Sequence, residues 1–214
     1  HDALPIYMLS ELSFCQIDFL NCTETMIVLI PIVLFIVILV FYHIAEYLLQ
    51  LHFHPETTTI SSLLITKAIL LAYSVGVCEY FIESCLIETK GDMNSIFFWA
   101  GIIMTFVGLF IRFAAILTAG KSFTHLVSYR KKKDHVLVTG GIYKYFRHPS
   151  YFGFFLFAVG TQVMLKNPIS IIGFSIVLWA FFDDRIKDEE IYLVEFFGKD
   201  YEEYRARTPT RIPF

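Results

Sequence analysis

The sequence predicts an all-α integral membrane protein with about five transmembrane helices, the last two folded as a C-terminal hairpin. Three observations predict it. The 214 residues are 56% hydrophobic and only 17% charged, with mean hydropathy +0.61, whereas soluble domains hold about 45–50% apolar and about 25% charged residues. Four apolar regions reach the roughly 20 helical residues that cross about 30 Å of hydrocarbon. The last of them is interrupted by a polar break, Lys166-Asn167-Pro168.

Residues 1–25 form a segment without Lys or Arg, and 26–118 hold three membrane helices. The first helix is "MIVLIPIVLFIVILVFYHIAEYLLQL" (26–51). The second, 61–88, carries Lys67, Glu79 and Glu83, and the third, 95–118, carries Arg112. Pairing among Glu79, Glu83 and Arg112 is the expected way to offset such costly charges, with a place along a substrate path as the other reading. The fourth region, 150–183, is a hairpin. Pro168 cannot continue a preceding helix and biases Asn167 away from the α region, so legs of 150–165 and 168–183 are predicted. Each leg is about 24 Å long, enough to span only a thinned bilayer.

Orientation follows from charge. The loop 119–149 carries Lys121, Arg130, Lys131, Lys132, Lys133, Lys144 and Arg147 against Asp134, which predicts a cytoplasmic location. The hairpin returns the tail 184–214 to the same side, and counting back across three spans places 1–25 in the lumen. The sequon Asn21-Cys22-Thr23 agrees weakly. In the tail, apolar positions Ile186, Ile191, Leu193, Phe196 and Phe197 among charges predict an amphipathic helix ending at Gly198, then a short helix stopped by Pro209. The chain begins at His1 rather than Met, which leaves room for an upstream portion, and no signal peptide is visible.

Several classes are disfavoured. No basic arm with interleaved aromatics occurs outside 130–133, which argues against nucleic acid. The four cysteines form no Cys-x-x-Cys pair and the histidines show no ligand spacing, so no metal site is expected. Cys78 and Cys85 are expected as buried small hydrophobes; Cys15 and Cys22 could pair in an oxidising lumen.

The chemistry gathers at "YKYFRHPSYFGFFLF" (143–157). Pro149 suits the first position of a helix. His148 and Tyr151, three residues apart, converge there beside unpaired backbone N–H groups that favour an anionic or polar ligand. Interfacial anchoring is the plainer explanation for any one of these residues. At the other end of the hairpin, Arg185 and Glu189 share a helix face at i and i+4, and the return of the chain brings that face near 148–151.

The runs "HVLVTGGIYKYFRHPSYFG", "GTQVMLKNP" and "RIKDEEIYLVEFFGKDYEEYRARTPTRIPF" resemble, in order and in spacing over 120–214, the isoprenylcysteine carboxyl methyltransferases of the endoplasmic reticulum membrane. The first 118 residues match only as hydrophobic spans. The resemblance implies transfer of a methyl group from S-adenosylmethionine to the C-terminal carboxylate of a prenylated cysteine on CaaX proteins such as small GTPases, with the site facing the cytosol. It implies cofactor contacts at His135, Val136, Leu137, Val138, Tyr143, His148, Pro149, Ser150, Tyr151 and Glu189. Arg185 matches the substrate-side arginine, and Arg185 and Glu189 are the implied catalytic pair. Two departures stand out: Ser128 occupies a position where relatives carry Gln, and the family's additional N-terminal spans are missing from this sequence.

Three other readings compete. A phospholipid N-methyltransferase would present a cationic acceptor, for which Arg185 is unsuited. An NADPH-dependent sterol reductase shares part of the C-terminal pattern and would need basic residues for the 2′-phosphate; Arg130–Lys133 are available, but charge is routine at a cytoplasmic membrane face. A membrane scaffold would bind no cofactor and tolerate Arg185→Ala and Glu189→Ala.

Overall fold

The computed structural model describes residues 6–125 and 135–210, and all regular elements among them are helical. The long helix α1 (Ile6–Phe53) begins within the segment expected as a separate lumenal region and continues through the first apolar stretch. After two short 3-10 turns, the Thr66 hydroxyl accepts from the Ile69 N–H at 3.2 Å and opens α2 (Lys67–Ser84). Ser95 does the same for α3 (Ile96–Ala119) through the Phe97 N–H; such caps supply partners that a helix start otherwise lacks. The hairpin follows as α4 (Pro149–Met164) and α5 (Pro168–Phe197), with α6 (Lys199–Arg207) last.

Among the described residues, three stretches are long and apolar enough to cross a membrane: Met26–Phe53, Ile60–Ser84 and Ile96–Ser122. Helix α4, with 16 residues, is about 24 Å long and falls short of the hydrocarbon thickness. Helix α5 does not end at 183. No proline interrupts it after Pro168, so it carries its axis out of the apolar stretch into the charged tail, until Gly198 adopts φ +54° and turns the chain into α6. Large apolar side chains such as Leu71, Phe110 and Val177 point outward, as lipid-facing helices do. Cys78 and Cys85 are exposed as well, contrary to the expectation of burial; Cys78 shares its face of α2 with Leu71, Val75 and Ile82, which are exposed too.

The core joins Phe35, Tyr42, Tyr80, Phe98, Leu109, Phe157 and Met164. Its tightest seam lies between antiparallel α3 and α4. A Cβ built at Gly101 would stand 2.1 Å from Met164 N, one at Gly108 2.4 Å from Phe157 N, one at Gly153 2.6 Å from Arg112 N, and one at Gly160 2.7 Å from Thr105 N. The two backbones therefore touch at four successive levels in one register. Small residues permit such approach where lipid offers no hydrophobic drive between helices.

The buried charges do not pair among themselves as expected. Glu79 accepts the N–H groups of Ile169 and Ser170, both at 2.7 Å, and the Ser170 hydroxyl, so a carboxylate of α2 caps the start of α5. Glu83 meets Lys90, whose ammonium also donates to the Lys166 carbonyl at 2.7 Å. Arg112 meets Glu46 of α1, with Nε–Oε1 at 2.7 Å and Nη2–Oε2 at 3.2 Å. In water-poor surroundings an orphaned N–H or hydroxyl costs about 1–3 kcal/mol. Glu79→Ala, which orphans three donors, is expected to lower the thermal midpoint of the detergent-solubilised protein by at least about 5 °C, and Glu79→Gln by less; thermal unfolding checks both.

Candidate active site

The site is built where α4 begins and α5 leaves the apolar layer. Pro149 opens α4, and His148 before it is buried. The rings of His148 and Tyr151 lie parallel, 5.6 Å apart at 4°, and Tyr151 stacks in turn on Phe182 of α5 at 5.0 Å. This stack fixes the Tyr151 hydroxyl, which donates to Glu189 Oε2 at 2.6 Å and accepts from Arg185 Nε at 2.9 Å. The Arg185 guanidinium lies 5.5 Å from the centre of the Tyr151 ring and also donates to the His125 carbonyl. Arg185 and Glu189 do share one face of α5, but a phenol from α4 joins them.

The tail closes over this point. Arg147 spans Glu190 Oε1 at 2.9 Å and the carbonyls of Thr208 and Arg205 at 2.6 and 3.3 Å, while its own N–H reaches the Pro209 carbonyl at 3.0 Å. The Tyr204 hydroxyl donates to the Tyr143 carbonyl at 2.7 Å. His148 Nε2 lies 3.2 Å from Glu190 Oε1, and its Nδ1 is 3.8 Å from Glu189 Oε2. Burial alone would raise the Glu190 pKa; the hydrogen bond and charge of His148, with the Arg147 guanidinium, outweigh it and bring the carboxyl down to about 2. Because the folded value is depressed, this contribution to stability is present above the ordinary carboxyl range near pH 4.3 and is lost as pH falls toward 2. Glu190→Gln is expected to flatten the fall in thermal midpoint between about pH 5 and pH 3, which unfolding curves at a series of pH values would read.

Between these elements lies a cavity. His135, Val136, Leu137, Val138, Tyr143, His148, Pro149, Ser150, Tyr151 and Glu189 all line it, from three separate stretches of chain. Arg185 is not among its lining residues; it stands behind the Tyr151 hydroxyl. Ser128 and the basic run 130–133 lie outside the described residues. The sequence reading did not place Tyr192, Leu193, Phe196, Phe197, Tyr201 or Tyr204 at the site, yet they form its wall on the tail side. Their periodicity reads as an amphipathic face, and only the return of α5 beside α4 turns that face into a cavity wall.

The lining has two chemistries. Tyr143, Tyr192, Phe196 and Phe197 offer ring faces, and the His135 ring packs 5.9 Å from Phe196 and 5.8 Å from Phe197. Glu189, partly exposed, and the first-turn backbone of α4 supply polar groups. Burial pushes the Tyr143 phenol above its ordinary range, helped by Glu189, so it is neutral at physiological pH. A ligand with a flat heterocycle, a polar chain and a positive centre fits this set: rings for the heterocycle, ring faces and a carboxylate for the cation.

Comparison with known proteins decides the family. The model of the isoprenylcysteine carboxyl methyltransferase family matches residues 101–195. Protein-S-isoprenylcysteine O-methyltransferase B of Arabidopsis thaliana is 46% identical over 180 residues, covering 82% of this chain and 89% of the relative. The chain belongs to the isoprenylcysteine carboxyl methyltransferase family. The human protein-S-isoprenylcysteine O-methyltransferase is 39% identical over 176 residues, with 81% of this chain and 61% of the human chain covered. The fold agrees: a solved eukaryotic intramembrane Ras methyltransferase of this family superposes with a TM-score of 0.83 at 34% identity, covering 88% of this chain and 68% of that one. Membership makes this chain a membrane methyltransferase and accounts for the match of the C-terminal runs.

Proposed function

We propose that this chain methylates the free α-carboxylate of a prenylated C-terminal cysteine, as on CaaX proteins such as small GTPases, with S-adenosylmethionine as donor. The work is placed at the cytosolic face of the endoplasmic reticulum membrane. The observation that carries this reading is the cavity beside the start of α4, into which "HVLV", "RHPSY" and Glu189 all open, with Arg185 held one hydrogen bond behind it.

When bound, S-adenosylmethionine supplies an electrophilic methyl group on a sulfonium. Glu189 and the faces of Tyr143 and Tyr192 favour a positive centre in the cavity. The stack of His148, Tyr151 and Phe182 keeps that wall rigid, and the tail clamped by Arg147 excludes water. The acceptor carboxylate is ionised at neutral pH, so no side chain has to remove a proton. Arg185, whose planar fork suits a carboxylate, orients the acceptor oxygen. It meets this task already held through Nε by Tyr151, which leaves it aimed without locking all of its donors. The prenyl chain stays in lipid beside α4 and α5 throughout.

The test is methyl transfer from radiolabelled S-adenosylmethionine to N-acetyl-S-farnesylcysteine by the purified protein in lipid vesicles. A base-labile ester is expected. An inert protein that still binds the donor would overturn the acceptor, and one that does not bind it would overturn the donor as well.

A further inference from the structure

A fully buried carboxylate is left unused by the proposed chemistry. Glu46 lies in the most apolar of the three spans and is fully buried. Its oxygens hold Arg112 in a two-point fork, at 2.7 and 3.2 Å. That fork leaves Nη1 of Arg112 to reach Ser150 Oγ at 2.5 Å and the Ser150 carbonyl at 3.4 Å. Ser150 lies in the first turn of α4 and lines the cavity.

The same carboxylate faces a second element. Glu46 Oε2 is 3.4 Å from His125 Nε2. Burial, then the charge of Arg112, bring His125 down to about 4, so the ring is neutral; it touches Glu46 without a hydrogen bond, and packing sets its place. The main-chain carbonyl of His125 accepts from Arg185 Nη2, whose Nε in turn holds Tyr151. One carboxylate of α1 thus stands at the root of two branches. One runs by hydrogen bonds through Arg112 to the start of α4; the other passes the His125 ring by contact alone, then runs from its carbonyl to Arg185, Tyr151 and Glu189.

A carboxylate placed only to fasten helices has no need of this arrangement. Buried ion pairs are often matched or surpassed in stability by apolar residues of similar volume, because desolvation offsets their attraction. What an ion pair offers that apolar residues do not is a fixed plane and direction for the guanidinium. From this geometry, and resting on the reaction proposed above, we infer that Glu46 is a positioning residue for methyl transfer. It orients Arg112 and, through His125, Arg185, so that the acceptor side of the site is set before substrate arrives.

The test compares wild type with Glu46→Gln and Glu46→Asp in lipid vesicles, reading kcat and KM for N-acetyl-S-farnesylcysteine, titration of S-adenosylhomocysteine, and the thermal midpoint. Displacement of a reacting group by about 1 Å can cost about 10²-fold in rate. Glu46→Gln is therefore expected to lower kcat by about that factor while product titration stays within about twofold of wild type. Glu46→Asp, which restores the charge, should recover part of the loss. If Glu46→Gln does not fold, Glu46→Leu with Arg112→Met removes the pair without leaving a buried charge; this double variant is expected to fold and to be as slow as Glu46→Gln should be. A Glu46→Gln protein, or a folded double variant, with wild-type kcat and KM overturns the inference while leaving the reaction standing. A wild type that forms no ester overturns both.

Discussion

Arg185→Ala is expected to lower kcat/KM for the prenylcysteine acceptor by about 10²–10³-fold, the scale seen when one preorganised donor is removed from an anion-binding site. The substitution removes the hydrogen bond to Tyr151 at 2.9 Å and the bond to the His125 carbonyl. It also takes away the cation over the Tyr151 ring. Glu189 keeps its own bond to Tyr151, so donor binding should change little and the loss should fall on the acceptor. Arg185→Lys should recover only a small part, because an ammonium cannot reach the phenol, the carbonyl and a carboxylate in one plane. Steady-state kinetics with both substrates varied, beside titration of S-adenosylhomocysteine, separates the two effects.

Gly108→Leu is expected to be strongly destabilising in the membrane layer. A Cβ at Gly108 would stand 2.4 Å from Phe157 N and 2.7 Å from the Gly153 carbonyl oxygen, both backbone atoms. Overpacking against side chains costs about 1–3 kcal/mol because rotamers can shift. Backbone cannot turn aside, so α3 and α4 would have to part along the whole seam. At least about 3 kcal/mol is expected, which for a chain of this size lowers the thermal midpoint by roughly 6–12 °C. The start of α4 carries His148, Ser150 and Tyr151, so activity should fall with the fold. Gly173→Ala, whose Cβ meets nothing within 4 Å, is the control and should be nearly silent.

The contrast between these positions shows what could be read from the chain alone. The polar break before Pro168 marked the hairpin, since proline cannot continue a helix, and Gly198 marked the end of α5. The basic loop and the aromatic motif pointed to one end of the molecule, and motif resemblance gathered the residues that line the cavity. The α3–α4 seam was not visible: Gly101, Gly108, Gly153 and Gly160 are small residues in apolar runs until the register of two helices brings backbone against backbone. Nor was the partner of Arg112. Glu46 lies 66 residues away in another span, and only packing reveals which of several buried charges meet. The tail wall escaped for the same reason, because 199–207 read only as a short helix until Arg147 and Tyr204 draw it over the cavity.

The measurement that tests the central claim most directly is titration of S-adenosylhomocysteine into the lipid-reconstituted protein and into Leu193→Trp. Leu193 lines the cavity from α5 and is not itself a member of the ion pairs that hold the tail. An indole there would fill space that the donor is proposed to occupy. Wild type is expected to bind, and Leu193→Trp to bind at least about tenfold more weakly, a difference of about 1.4 kcal/mol, with an unchanged thermal midpoint. Equal affinity in the two proteins would contradict the placement of the donor in this cavity.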